Sequence, residues 1–267
     1  MTIVAAGDSF VFGSELNDCH KKTGSMSTFT ALLSKGGDYE NVAWPGFGND
    51  SIARRVIERC ERGGVTGVIV SWTFPGRYEF RFNYSTKQYM SPWYTITPWT
   101  SDTHISEIQS QFHTDNEKVL NDHISNINRA QETGVADFAK TFYSHVGSSE
   151  YWEVYSSLKE IIYLQNYLTL NQFPFLFTCA DNSILFNSTV DRGDSVINSL
   201  VMQLNKENWF WFPAGTELYD THEPRGFYQW AVENKYPIGT THPLEQAHQD
   251  AANLMQGKFN ELVKKSI

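Results

Sequence analysis

Two side chains stand where chemistry is easiest to place. Ser9 lies in Gly7-Asp8-Ser9-Phe10, directly after the apolar run Ile3 to Ala6. His242 lies in Thr241-His242-Pro243, directly before the last apolar-periodic segment. A hydroxyl becomes a useful nucleophile when a base removes its proton, and imidazole is the usual base. The tetrahedral oxyanion that forms then needs N–H donors aimed at it. Both residues also have plainer uses. Asp-Ser after a strand caps a helix or makes a turn, and a histidine before a helix serves as a surface cap. His248 falls inside the last helix, on the face of Leu244 and Ala251. It reads as a partly buried packing residue.

The elements that must position Ser9 and His242 follow from periodicity. Ile3 to Ala6 reads as a fully buried strand, and Phe29, Leu32 and Leu33 as a helix stopped by Gly36-Gly37. A second strand covers Tyr39 to Ala43 and is broken by Pro45-Gly46-Phe47-Gly48. A helix carries the stripe Ile52, Val56, Cys60, and Val65 to Trp72 is a third buried strand. Regularity returns at Tyr151 with a helix, a fourth strand at Phe173 to Thr178, a helix over Asp194–Lys206 and a short fifth strand at Trp209–Phe212. An amphipathic helix with Leu244, Ala247, Ala251, Leu254, Met255 and Leu262 ends the chain. The spacing predicts one α/β domain over 1–267, a flavodoxin-like three-layer α/β/α fold. Its central sheet is mostly parallel and five-stranded. Residues 76–149 break the pattern and read as a long insertion after strand three, with a helix around Asn116–Arg129. In open sheets of this kind, ligands bind beyond the carboxyl ends of the strands, which is where Ser9 falls.

These residues resemble the SGNH hydrolases, also called the GDSL lipase/esterase family. Gly7-Asp8-Ser9-Phe10 is similar to that family's first block, and the resemblance implies Ser9 as nucleophile. Asn41-Val42-Ala43-Trp44-Pro45-Gly46 resembles the second block, an Asn-x-Gly/Ala-x-x-Gly stretch. It implies the Ser9 and Gly46 N–H groups as oxyanion donors, with Gly48 one turn position away. His242-Pro243 is similar to the final block and implies His242 as general base. The resemblance covers roughly residues 1–75 and 150–265. It implies a serine esterase cleaving a carboxylic ester of a small molecule, and the Trp/Tyr-rich insertion, which the resemblance leaves unexplained, suggests a glycan ester, an acylated sugar, rather than a long lipid chain.

The sequence departs from that family twice. A Gly-x-Asn-Asp block expected after strand three is replaced by Ser71-Trp72-Thr73-Phe74-Pro75-Gly76-Arg77. Asn49, Thr73 or Arg77 is then the substitute oxyanion donor, although Asn49 reads first as a helix N-cap. The family's Asp two or three residues before the histidine is replaced by Thr240 and Gly239. Asp220 is the first candidate for a recruited acid, with Asp50 behind it, and the Thr240 hydroxyl is an alternative orienting group. Losing a triad carboxylate costs ~10⁴ in kcat. A catalytically weak or inactive SGNH-like binding or structural protein is therefore the competing expectation, and an unrelated flavodoxin-like anion binder a third. A Ser9 hydroxyl within hydrogen-bond reach of His242 favours the hydrolase.

Composition narrows the field further. The 267 residues hold 21 Lys+Arg against 30 Asp+Glu, a net charge of -9. That balance argues against a nucleic-acid binder. No apolar run approaches the ~20 residues of a membrane span, and the N-terminus has no basic, apolar leader, so a cytoplasmic protein is expected. Cys19, Cys60 and Cys179 have no CxxC spacing, and the latter two read as small buried hydrophobes. Asp220, His222 and Glu223 lack metal-ligand spacing, so no metal is expected. Without a phosphate loop or dinucleotide fingerprint, no cofactor is expected. Tyr78-Glu79-Phe80-Arg81-Phe82 reads as a strand with a charged outer face. Trp93 and Trp99 read either as a carbohydrate-stacking platform or as insertion core.

Overall fold

Unbroken apolar strands need cover on both faces, and helices supply it. The computed structural model describes residues 2–34, 37–83, 92–100, 117–187, 190, 192–214 and 223–264, with the backbone alone at 117–123 and 264. The first half runs β1 (Thr2–Ala6), α1 (Ser9–Phe12), α2 (Phe29–Leu33), β2 (Asp38–Asn41), α3 (Asn49–Cys60) and β3 (Val65–Trp72). The insertion follows as β4 (Tyr78–Arg81), β5 (Trp93–Ile96), α4 (Glu117–Glu132) and α5 (Val135–Phe142). The chain closes with α6 (Glu150–Leu170), β6 (Phe175–Cys179), α7 (Ser195–Met202), α8 (Phe227–Glu233) and α9 (Glu245–Lys264).

The central sheet has the order β2-β1-β3-β6, and every pairing is parallel. Alternate residues of each strand feed two cores. Val4, Ala6, Val68, Val70 and Trp72 pack under α3, α6 and α7. Ile3, Ala5, Ile69 and Leu176 pack under α2, α8 and α9. The fold is thus mixed α/β, with helices on both faces of a parallel sheet.

The expected fifth strand shrinks to a single parallel bridge, Phe177 to Trp209, with Phe210 N–H donating to the Phe177 carbonyl at 2.8 Å. The run is extended, but rings rather than a backbone ladder hold it. Trp209 and Trp211 stack at 5.0 Å on one face, and Phe210 and Phe212 meet edge-on at 5.1 Å on the other. Phe212 then bridges back to Arg225, which turns the chain away from the sheet edge.

The insertion has a core of its own. Strands β4 and β5 pair antiparallel, and Tyr78, Ile96, Ala130, Val135, Ala136, Ala139 and Tyr143 pack together. The Tyr143 hydroxyl donates to the Gly76 carbonyl at 2.7 Å, tying this core to the end of β3. The charged outer face expected for β4 needs correction at Glu79. Its side chain is 4% exposed and takes a bidentate pair from Arg54 of α3, at 2.6 and 2.7 Å. That pair joins the insertion to the main domain. Cys60 and Cys179 are buried free thiols, and Cys19 is half-buried. Among the described residues, no helix is long and apolar enough to cross a membrane.

Candidate active site

The site begins where β1 ends. A Cβ on Gly7 would overlap Val11 and crowd the Ser71 carbonyl, so the strand can turn sharply into α1 only with glycine there. Asp8 caps that turn, its carboxylate accepting from Phe10 N–H at 3.1 Å. The same carboxylate accepts from the Thr73 hydroxyl at 2.5 Å and from Arg77 at 3.2 Å, and it is fully buried. Asp8 is therefore spent on anchoring the turn. Ser9 is the first residue of that turn, held over the carboxyl end of β1.

His242 arrives from the other end of the chain. Gly239 N–H donates to the His242 carbonyl at 2.9 Å, and Ile238 bridges to Pro243, closing a tight turn before α9. The imidazole lies 4.8 Å from the Phe10 ring and reaches Ser9, with Nε2 to Oγ at 2.7 Å. Ser9 and His242, 233 positions apart in the sequence, are thus in hydrogen-bond contact.

The imidazole's other nitrogen meets a carboxylate that the sequence reading did not single out. Glu15 Oε1 is 2.8 Å from His242 Nδ1. Its other oxygen accepts from Thr240 N–H at 2.5 Å and Thr241 N–H at 3.2 Å, and the Thr241 hydroxyl donates to Oε1 at 3.0 Å. Burial works to raise the Glu15 pKa. The hydrogen bond and charge of His242, with the Thr241 bonds, outweigh it and bring the carboxyl down to about 2. An ionised carboxylate only accepts, so Nδ1 carries the proton and Nε2 is left to accept from Ser9. Glu15 has φ 71, a left-handed backbone outside glycine's usual territory. Such outliers concentrate where surrounding contacts hold a functional geometry.

The remaining predicted residues fall out as follows. Gly46 sits at φ 84 in a Trp44-Pro45-Gly46-Phe47 turn, closed by Phe47 N–H to the Trp44 carbonyl at 3.2 Å. Proline second and glycine third is the type II pattern. Trp44 N–H donates to the Gly7 carbonyl at 3.4 Å, which seats this loop beside Ser9. Among the described residues, the Ser9 and Gly46 N–H groups have no hydrogen-bond acceptor. Gly48 lies against the Arg77 carbonyl, where a Cβ would overlap it.

Asn49 needs correction as an oxyanion donor. Its amide donates to the Thr73 carbonyl at 3.3 Å and the Ser157 hydroxyl at 3.1 Å, so both N–H groups are engaged. Its oxygen accepts from Thr73 N–H at 2.9 Å. The side chain pins the end of β3, and Gly48 rather than Asn49 is the N-cap of α3. Thr240 touches the site through its backbone N–H, on Glu15, rather than through its hydroxyl on the imidazole. Asp50 accepts from Ser51 and Glu79 N–H groups. Asp220 and His222 lie outside the described residues. His248 is 1% exposed, accepts from Phe29 N–H at 3.2 Å and stacks on the Phe29 ring. Burial, with the nearby His242 charge, pushes its pKa down to about 3.

Glu15 escaped the sequence reading because it sits in an aperiodic loop and its partners lie 225 to 227 positions away. The one local signal is negative: glycine at position 239, where a Cβ would run into the Glu15 carboxylate.

No family model matches the sequence, and no curated protein matches it. Among solved structures, the chain is similar to the psychrotrophic esterase EstA from a Pseudoalteromonas species, in a form inhibited by monoethylphosphonate. That similarity has 10% identity and a TM-score of 0.44, over 99% of this chain and 97% of that one. A protein from Desulfitobacterium hafniense, described as lipolytic and of the G-D-S-L family, is similar at 10% identity and a TM-score of 0.29. There the match spans 96% of this chain and 98% of that one.

Proposed function

We propose that this chain is a serine hydrolase of the SGNH type that cleaves a carboxylic ester. The observation that carries the reading is the 2.7 Å contact between Ser9 Oγ and His242 Nε2. Ser9 attacks the acyl carbon as His242 Nε2 takes its proton. The carbonyl oxygen becomes an oxyanion that the Ser9 and Gly46 N–H groups receive. The imidazolium then protonates the departing alkoxide, which leaves as the alcohol and frees the acyl-enzyme. Water, deprotonated by the same imidazole, attacks the acyl carbon and releases the carboxylic acid and Ser9.

An O-acyl group on a carbohydrate is the finer reading of the substrate. Two exposed indoles support it. Trp44, 47% exposed, belongs to the loop of Gly46, and Trp99, 49% exposed, stands beside the Arg77 guanidinium. Sugar rings stack on such faces, whereas a long acyl chain needs a deep apolar trough.

The deciding experiment is labelling with a fluorophosphonate probe. Wild-type protein is expected to take up one label at Ser9 and to hydrolyse p-nitrophenyl acetate and acetylated sugars. Ser9→Ala is expected to do neither. An unlabelled, inactive but folded wild type would establish the competing reading, a binding protein on this fold.

A further inference from the structure

The Glu15 carboxylate and Gly239 compete for one space. A Cβ built on Gly239 would lie less than 3.0 Å from Glu15 Oε2, a separation that real Cβ atoms do not show. Its next neighbours, Glu15 Cδ at 3.3 Å and Leu244 Cδ2 at 3.4 Å, are tolerable. Gly239 is not among the residues of positive φ, so its backbone suits any side chain. Only the Glu15 carboxylate keeps that position empty.

Resting on the hydrolase reading, we infer that Glu15 is the positioning carboxylate of His242, and that positions 15 and 239 are alternative sources of it. The carboxylate oxygen nearest Gly239 belongs to the same group that holds Nδ1 at 2.8 Å. An aspartate at 239 would therefore start its side chain where the Glu15 carboxylate now ends. Glu15 lies at the surface, and the hydrogen bonds from Thr240, Thr241 and His242 hold its carboxylate in one orientation there. Its low pKa keeps it charged through the working range, as stabilising an imidazolium requires. The left-handed backbone at Glu15 is the conformational cost of delivering a carboxylate from this loop.

The test uses the full chain in five forms: wild type, Glu15→Gln, Glu15→Gly, Gly239→Asp, and Glu15→Gly combined with Gly239→Asp. Two readouts are taken, p-nitrophenyl acetate kinetics and the downfield proton signal of an imidazole N–H bonded to a carboxylate. Glu15→Gln is expected to lower kcat by ~10²–10⁴-fold with KM almost unchanged. The downfield proton is expected to vanish in Glu15→Gly and in Gly239→Asp, where two carboxylates collide. The double variant is expected to regain ~10-fold or more over Glu15→Gly and to recover the proton, while Glu15→Gly relaxes the left-handed backbone and so folds. Wild-type kcat in Glu15→Gln, or a folded double variant with neither recovery, overturns the inference. If the wild type resists the fluorophosphonate probe and shows no turnover, the hydrolase reading fails. The proton signal then decides the Glu15 to His242 pairing alone, because it needs no turnover.

Discussion

Asp8 and Arg77 form an ion pair at 3.2 Å behind the turn that carries Ser9, with Asp8 wholly buried and Arg77 11% exposed. Arg77 also donates to the Thr73 hydroxyl at 3.0 Å, so the three side chains form one closed group. Breaking a buried pair by removing one partner strands the other charge and costs about 3–5 kcal/mol. Arg77→Met should lose stability of that order in urea unfolding. Asp8→Asn with Arg77→Met should recover part of it, because no lone charge remains. A double-mutant cycle measures the coupling. Strict additivity would show that the pair contributes nothing.

Ser9→Ala should abolish hydrolysis of p-nitrophenyl acetate and leave the urea midpoint unchanged within error. Ser9 is only partly buried and, among the described residues, its hydroxyl has one partner, His242, so the fold has little to lose. Unchanged turnover in the purified variant would sink the nucleophile assignment.

His242→Ala should be as damaging as Ser9→Ala, and the double variant little worse, because members of one catalytic unit are grossly non-additive. His248→Gln should instead leave kcat within about threefold of wild type. Its side chain accepts from Phe29 N–H, bonds to the Pro243 backbone and packs on the Phe29 and Phe227 rings, and among the described residues no bond links it to the Ser9 hydroxyl. Activity retained in His242→Ala and lost in His248→Gln would reverse the two roles.

The pattern of what the sequence disclosed follows from range. β1, β3 and β6 are legible because each is a local apolar run, β2 because Pro45-Gly46 breaks the chain soon after it, and the position of Ser9 because Gly7 permits the turn after β1. The position of His242 is legible because Pro243 and then an amphipathic helix follow it, although that helix begins only at Glu245. Glu15 is not, since nothing within six residues marks it and its meaning lies in a turn over 220 positions away. Asn49 misleads for the same reason. Its local setting reads as a cap or a donor, while its real partners, Thr73 and Ser157, are 24 and 108 positions distant. The Trp209–Phe212 run has strand alternation, and its rings take the places that alternation predicts, yet its backbone pairs with β6 by one bridge.

The pH dependence of stability should reveal two opposed buried groups. His248 has its pKa lowered from 6.5 to about 3, chiefly by burial. Between those values the unfolded chain binds a proton that the folded chain does not, so stability falls as pH falls below 6.5. Asp50 has its pKa raised from 3.8 to about 7, again by burial. Between those values the folded chain binds the extra proton, so stability rises as pH falls from 7. The two slopes oppose each other between pH 4 and 6.5. His248→Gln removes one of them. Compared with wild type, the variant should gain roughly 2 kcal/mol on going from pH 6.5 to pH 5, at ~1.4 kcal/mol per unit. Urea midpoints at the two pH values measure this, and parallel curves for both proteins would show that His248 titrates alike in the folded and unfolded chains. Glu15, lowered from 4.5 to about 2, acts in a separate window. Its contribution is present above pH 4.5 and is lost only as pH falls towards 2.

Asn49 offers the sharpest separation of anchoring from catalysis. Its side chain satisfies the Thr73 N–H and carbonyl and the Ser157 hydroxyl, in a site 3% exposed. Asn49→Ala leaves those groups without partners at about 1–3 kcal/mol each, offset where water enters the space left by the amide. A net loss of about 2–4 kcal/mol in urea unfolding is the expected result. Removing a true oxyanion donor has a different signature, a loss of ~10²–10³ in kcat with stability intact. Because both Asn49 N–H groups already have acceptors, kcat of the folded variant should fall less than ~10-fold, by displacement of Thr73 and the Asp8 carboxylate it supports. Asn49→Asp should be worse than Asn49→Ala for stability, since it loses the same two donors and buries a charge. A stable Asn49→Ala with a 10²-fold kcat defect would mean that the amide leaves Thr73 and turns to the oxyanion during the reaction.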